Sequence, residues 1–169
     1  MTLSQTDTKQ CCPGCGGAFT VMNGSVHKYM SASPACWHAY GNLLAAEYES
    51  PELMLVHNLS VDCYAVQHSG GDDRRARQSV IVHLVRLYVL LENITAPDRV
   101  NTVMQSLASA RRDWPRLQGP SPFTKTVADI YPYAGTAHHA DMVKDWAQTT
   151  WADWANVHDY IEKICAAAI

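Results

Sequence analysis

The chain has 169 residues, of which 47% are hydrophobic and 17% are charged. This length and composition predict a single domain over residues 1–169, with one core of ordinary size. The formal net charge of −3 gives no electrostatic reason to bind a nucleic acid or an anionic membrane, so neither is expected as a partner.

Neither a secretion signal nor a membrane span is expected. The first seven residues carry acidic and hydroxyl side chains rather than a basic stretch followed by an apolar run. The longest apolar stretch, residues 80–91, is interrupted by His83 and Arg86 and is too short for a bilayer. We therefore expect a soluble, cytoplasmic protein, in which the six cysteines do not need to form disulfides.

The first 32 residues form an irregular lead-in to the rest of the chain. They are rich in glycine, serine, asparagine and cysteine and show no sustained periodicity, although Asn23-Gly24 predicts a short hairpin turn. Since this segment has no apolar pattern of its own, something other than a hydrophobic core must order it.

From Ser33 onward the apolar pattern predicts a mainly α protein, a bundle of about five helices over residues 33–169. Ser33-Pro34 and Ser50-Pro51 each combine an N-cap with proline at the first helical position. Asp72 or Asp73 can cap the third helix. A proline-bearing loop is expected between the fourth helix and the last. The predicted helices span about residues 33–48, 50–69, 73–93, 98–111 and 138–167.

Cys12 and Cys15 enclose Pro13-Gly14 in a Cys-x-x-Cys knuckle. Glycine permits the tight turn that brings two sulfurs together, and the amides near Gly14 and Gly16 can donate to the thiolates. The knuckle therefore predicts half of a zinc site, with Zn²⁺ pinning the irregular segment to the bundle. A thioredoxin-like redox pair would lie between a strand and a helix, a context that the sequence does not predict.

A structural zinc site needs four ligands, so two more must be found. Cys36 is the predicted third ligand. The fourth is either His27, which lies between the knuckle and Cys36, or His68. If the first two helices are antiparallel, Cys36 and His68 share one end of the bundle. The sequence favours His27 over His68 by a small margin. Cys63 and Cys165 lie in helical patterns and are expected to be small buried hydrophobic residues.

The chain has eight histidines, several of them inside helical patterns. Counted from the turn between the second and third helices, His57 and His83 lie at similar depths, and Asp62 is nearer the turn. This arrangement predicts a bundle-core cluster of His57, Asp62 and His83, to which His158 could be added, as a second metal site or an acid/base centre. The alternative is core histidines that are each hydrogen-bonded to a carboxylate or carbonyl. His138-His139 is expected to be exposed.

Several motifs together resemble a family of small bacterial proteins of unknown function. They are CPGCG at residues 12–16, SPACW at 33–37, VDCYAVQH at 61–68, VHL at 82–84 and WADW at 151–154. The resemblance runs over most of the chain and marks the same residues as the spacing arguments. It implies no substrate, reaction or catalytic role.

Two functions are compatible with these features. The first is a zinc-binding accessory or regulatory protein whose metal is structural and has no open coordination position. The second is a metal-dependent or acid/base enzyme with a pocket lined by His57, Asp62, His83 and tryptophans. A small-molecule or protein partner and a homo-oligomer are compatible with both functions, so the sequence leaves open whether the protein is an enzyme.

Overall fold

The computed structural model describes residues 8–169 and shows a mainly helical chain, as predicted. The first seven residues, on which the expectation about a signal peptide rests, lie outside the described residues. Two strands, β1 (Lys9–Cys11) and β2 (Ala18–Thr20), come first. The helices are α1 (Pro34–Tyr48), α2 (His57–Gln67), α3 (Arg74–Leu91), α4 (Pro97–Ser109), α5 (Val127–Ile130), α6 (His139–Asp153) and α7 (His158–Ala166). Short 3₁₀ helices cover Leu53–Leu55, Tyr131–Tyr133 and Ala155–Val157.

The hairpin forms earlier in the chain than the sequence predicts. β1 and β2 are antiparallel, with Cys11 opposite Ala18, and the cysteine knuckle is the loop between them. The Cys12 amide donates to the Gly17 carbonyl at 2.8 Å, which closes this loop. Gly16 has a φ of +80°, a conformation that glycine adopts without strain. The prediction of a hairpin around Asn23-Gly24 was wrong, because no strands flank that pair.

Two predicted helix caps are confirmed, and one helix begins later than expected. The Ser33 side chain accepts a hydrogen bond from the Cys36 amide at the start of α1, and Asp73 caps α3 through the amides of Arg75 and Ala76. Ser50 instead accepts a hydrogen bond from the Leu53 amide and leads into a 3₁₀ turn. For this reason α2 begins only at His57.

The long C-terminal helix of the prediction is divided near Trp154. There the Trp154 amide bonds to the Trp151 carbonyl, and a 3₁₀ turn separates α6 from α7. His158 Nε2 donates to the same carbonyl at 2.8 Å, and the His158 ring stacks on the Trp151 indole. The break is stable because the carbonyl that leaves the helical pattern still accepts hydrogen bonds.

Helix α3 lies near the centre of the fold and buries a wide apolar face. It packs against α2, α4, α6 and α7. Cys63 and Cys165 are buried among apolar side chains, as expected. The predicted proline-bearing loop contains α5, which a Thr126–Asp129 capping box starts and which packs against α1. None of the helices within residues 8–169 has the length and apolar character needed to span a membrane.

Candidate metal centre

Three separate segments bring Cys12, Cys15, Cys36 and His68 together. The first two come from the hairpin loop, Cys36 lies in the first turn of α1, and His68 is the residue that ends α2. All four side chains are buried, and their potential ligand atoms lie within 4.8 Å of one another. These residues form a Cys₃His group that could hold one metal ion.

The distances within this group suit a single tetrahedral ion. Cys15 Sγ and Cys36 Sγ are 3.9 Å apart, and Cys36 Sγ lies 3.2 Å from His68 Nε2. A tetrahedral zinc with Zn–S bonds of about 2.3 Å would place two sulfurs about 3.8 Å apart. The side chains therefore need little rearrangement to surround the ion.

The His68 ring is held in the orientation and tautomer that a metal ligand needs. Its Nδ1 lies 2.7 Å from the Tyr64 carbonyl oxygen. Because a carbonyl can only accept, Nδ1 donates to it, and in a neutral imidazole this leaves the lone pair on Nε2, which faces Cys36. Histidines that bind metals commonly make such an outer hydrogen bond, which orients the ring and increases the basicity of the ligand nitrogen.

The knuckle fits against its neighbours because residue 14 is glycine. A Cβ atom there would lie 2.2 Å from the Ser31 carbonyl oxygen and 2.7 Å from His68 Cδ2. The sequence predicts amide donors to the thiolates near Gly14 and Gly16. In the structure the Gly17 amide donates to Cys15 Sγ at 3.4 Å, whereas the Gly16 amide donates to the Cys12 carbonyl and helps to close the turn.

Tyr64 supports the group from outside. Its ring stacks on His68 with centroids 3.8 Å apart, and its hydroxyl lies 3.5 Å from Cys36 Sγ. Burial raises the pKa of Tyr64 well above its usual value, and the nearby Cys36 raises it further. The phenol therefore keeps its proton and can donate it in a hydrogen bond to a Cys36 thiolate.

Without a cation, the three thiols cannot all ionise easily. The pKa of Cys12 is lowered because the side chains of Cys15 and Cys36 hydrogen-bond to it. The same hydrogen bonds make the Cys15 and Cys36 thiols harder to ionise. The hydrogen bond with Cys12 raises the pKa of Cys15 to about 12 and is the largest cause of the raised pKa of Cys36. A bound divalent cation would stabilise all three thiolates, since a coordinating thiol is deprotonated.

His27, which spacing alone slightly favours, is not part of this group. It is exposed, and its ring packs near Tyr29 and Trp37. Its Nδ1 accepts a hydrogen bond from the Tyr29 amide. The histidine that the structure places with the three cysteines is therefore His68, the competing candidate from the antiparallel-helix argument, and not His27.

The second predicted cluster is divided in two, and Asp62 and His83 form the first part. His83 Nδ1 lies 2.6 Å from Asp62 Oδ1, and the Arg86 guanidinium binds both oxygens of this carboxylate at 2.6–2.9 Å. Asp62 is fully buried, whereas the side chains of His83 and Arg86 are 22% and 18% exposed. The buried carboxylate is therefore balanced by a guanidinium and oriented toward a histidine.

His57 belongs to a different group, centred on Glu47. His57 Nδ1 lies 2.7 Å from Glu47 Oε2, and Ser60 and His139 both bond to Glu47 Oε1. His139 Nδ1 accepts a hydrogen bond from the Gly135 amide, so its Nε2 carries the proton donated to Glu47. Glu47 and His139 are fully buried. The predicted exposure of His139 was therefore wrong, because Glu47 supplies a buried acceptor for its ring.

Glu47 is the residue of this second region that the sequence reasoning missed. It follows Tyr40 and Leu43 on the spacing of the buried face of α1, and all three are buried. A glutamate on an apolar helix face is a detectable signal, because a buried carboxylate must be paired. His158, which could have joined the cluster, stacks on Trp151 and donates to its carbonyl instead.

The fold and the site define a helical protein with a buried Cys₃His group. Residues 10–155 match DUF5946, a family of unknown function, and the chain belongs to this family. No curated protein and no solved structure matches the chain. The family thus confirms the resemblance described above without supplying an activity.

Proposed function

We propose that this is a zinc-binding protein of accessory or regulatory role, and that the metal is chiefly structural. The main support is the number of ligands, because three cysteines and one histidine fill a tetrahedral zinc site and leave no position for a substrate. Sulfur ligands favour zinc over hard cations such as Mg²⁺ and Ca²⁺. The complete burial of the ligand set supports the same conclusion.

A structural metal at this position would hold separate segments of the chain together. It would join the hairpin loop to the start of α1 and the end of α2. Around it, Met30 pairs with Ser69, the Ser31 amide donates to the His68 carbonyl, and Tyr64 of α2 stacks on Tyr40 of α1. Because the unfolded chain has no preformed site, the free energy of metal binding would contribute directly to folding.

Metal analysis of ligand variants tests this proposal. We expect about one zinc per chain in protein purified without added metal, and loss of that zinc in Cys36→Ser and His68→Ala. Cys11→Ser and His27→Ala are the matched controls, because both side chains are exposed near the group and should leave the zinc in place. Retention of zinc by Cys36→Ser and His68→Ala would contradict the proposal.

A second candidate function is acid/base catalysis, and it rests on the geometry of His83. Asp62 holds His83 Nδ1, while Nε2 has no hydrogen-bond partner among the described residues and the side chain is partly exposed. A histidine oriented by a carboxylate, with its other nitrogen free, is the arrangement of a general base. Glu47 holds His57 similarly, although His57 Nε2 faces the Tyr48 hydroxyl.

The hydrolysis of an activated ester such as 4-nitrophenyl acetate tests the second candidate. If His83 is a general base, His83→Gln should lower the rate by about a hundredfold relative to the unmodified protein. His38→Gln is the control, since His38 is an exposed helical histidine without a carboxylate partner among the described residues. Equal rates for the two variants would show only background imidazole reactivity and would contradict this function.

A further inference from the structure

An open hollow of about 560 Å³ lies between the start of α3 and the loop that follows α4. Three arginines and one aspartate line it, namely Arg74, Arg111, Arg112 and Asp113. Arg74 is the first residue of α3, and the other three directly follow Ala110, the C-cap of α4. All four lining residues are exposed, so a ligand could reach them from solvent.

None of these three arginines forms an ion pair with a carboxylate in the described part of the chain. Arg74 Nη2 donates to the Ala110 carbonyl at 3.0 Å, and the Arg112 guanidinium lies 4.4 Å from the centroid of the Trp114 ring. Arg111 makes no hydrogen bond or ion pair within residues 8–169. Because each guanidinium has five N–H groups, most of the donors around the hollow remain available to a ligand.

The lining residues have an excess of positive charge. Three arginines and one aspartate give the hollow a net charge of +2, although the formal net charge of the chain is −3. The first turn of α3 contains no acidic residue, so Arg74 lies at the positive end of the helix dipole. Positive charges gathered in this way repel one another, and a bound anion would relieve the repulsion.

The charges next to the hollow do not cancel this excess. Asp72 pairs with both Arg77 and Arg116, and Asp73 caps α3 through amides that include that of Arg75. These two acids and three arginines add one further positive charge. The start of α3 and the loop after α4 therefore form a basic surface on an otherwise acidic protein.

A phosphate monoester group matches the charge of the hollow better than other common anions do. It carries about −1.5 to −2 charges at neutral pH, whereas a carboxylate or a phosphate diester carries only one. Guanidinium groups bind phosphate oxygens through paired N–H donors. No aromatic side chain of the described residues lines the hollow, so a nucleic-acid base would have no ring to stack on.

We propose that the hollow formed by Arg74, Arg111 and Arg112 binds a phosphate monoester group, carried either by a small molecule or by a phosphorylated protein. The N–H groups of the three guanidiniums would donate to the phosphate oxygens. The hollow shares no residue with the Cys₃His group. The site is therefore independent of the proposed zinc function.

An NMR titration of the arginine side-chain N–H signals in the full chain tests the proposal. Methyl phosphate and dimethyl phosphate are the probes, because they differ in charge but little in size. We expect methyl phosphate to shift the signals of Arg74, Arg111 and Arg112 saturably, with a Kd of about 1 mM at low salt. Dimethyl phosphate should bind at least tenfold more weakly. Binding should also weaken in about 0.3 M sodium chloride, because the site is exposed.

Two variants should change the affinity in opposite directions. Arg111→Gln should weaken the binding of methyl phosphate about tenfold without affecting folding, because Arg111 has no partner in the described structure. Asp113→Asn should strengthen it about threefold, because it removes the one negative charge of the lining. Arg99→Gln is the matched control, since Arg99 is exposed on α4 outside the hollow and should leave the affinity unchanged.

A glycine peptide with one central phosphoserine distinguishes the two sources of the phosphate. Tighter binding of this peptide than of methyl phosphate assigns the hollow to a phosphorylated protein, and equal or weaker binding assigns it to a small molecule.

Three results would overturn the proposal. They are no saturable shift with methyl phosphate up to about 10 mM, equal affinity for the two methyl esters, and an unchanged affinity in Arg111→Gln. Equal affinity would indicate attraction of any anion, including a nucleic-acid backbone. Zinc is measured in the same samples, so a protein that lacks zinc but binds methyl phosphate as expected would contradict the zinc proposal alone.

Discussion

Removal of the metal should lower the midpoint of thermal unfolding by about 20 °C or more. Structural zinc contributes an apparent free energy of about 10 kcal/mol or more in small zinc domains, which is comparable to the whole stability of an ordinary domain. A loss of about 1 kcal/mol shifts the midpoint by about 2–4 °C in a chain of this size. The measurement is a thermal melt before and after chelation, with metal content determined in each sample.

The same melts include two controls. Adding back one equivalent of zinc should restore the original midpoint. Cys36→Ser should melt low with or without chelator, whereas Cys11→Ser should behave like the unmodified protein, because the Cys11 thiol is exposed and lies outside the ligand set. An unchanged midpoint after verified removal of the metal would rule out a structural role for it.

Asp62→Ala should destabilise the protein by about 3–5 kcal/mol. Asp62 is fully buried, and all the hydrogen bonds of the Arg86 guanidinium in the described structure go to its carboxylate. Removal of one partner of a buried ion pair leaves the other charge uncompensated, which is costlier than the loss of the pair itself. His83 would also lose the acceptor for its Nδ1 proton. Urea unfolding at constant zinc content measures this loss.

Asp141→Ala is the control for this prediction. Asp141 also pairs with a basic residue, Lys144, but its side chain is 83% exposed and the pair is 3.8 Å apart. Exposed ion pairs contribute about 1 kcal/mol or less, so this variant should unfold close to the unmodified protein. If Asp62→Ala and Asp141→Ala had similar effects, the buried pair would not contribute as we expect.

Local sequence signals predicted the starts of α1 and α3 correctly, but not that of α2. Ser33 and Asp73 cap α1 and α3 as expected, because an N-cap acts through amides two or three residues away. The break near Trp154 was not predictable in this way. It depends on the stacking of His158 on Trp151 and on a shared carbonyl, and such contacts do not change the apolar periodicity of the sequence.

The candidate metal ligands show the same division between local and long-range information. The knuckle and Cys36 are recognisable from residue type and spacing. His27 and His68 could be separated only by the path of residues 21–33, an irregular segment. In the structure Met30 pairs with Ser69, which brings this segment beside the end of α2, while His27 lies near Trp37. No periodicity in the sequence encodes that path.

The histidine pairs depended on which helices are neighbours. Counting residues from the turn between α2 and α3 matched His57 with His83 in depth and placed Asp62 nearer the turn, whereas in the structure Asp62 is the residue that contacts His83. The partner of His57 is Glu47 of α1, which also binds His139 of α6, a residue far away in the sequence. The position of α6 follows from the packing of the whole core, which a local pattern does not specify.

The order of the ligands along the chain has a consequence for biosynthesis. All four candidate ligands lie in the segment from Cys12 to His68, whereas α6 and α7, which also pack against α3, are made later. If the group binds zinc as proposed, the ion can be fully coordinated before α6 and α7 have been translated. Until His68 has left the exit tunnel, the nascent chain offers three thiols without their imidazole, so zinc supply during translation would influence the yield of folded protein.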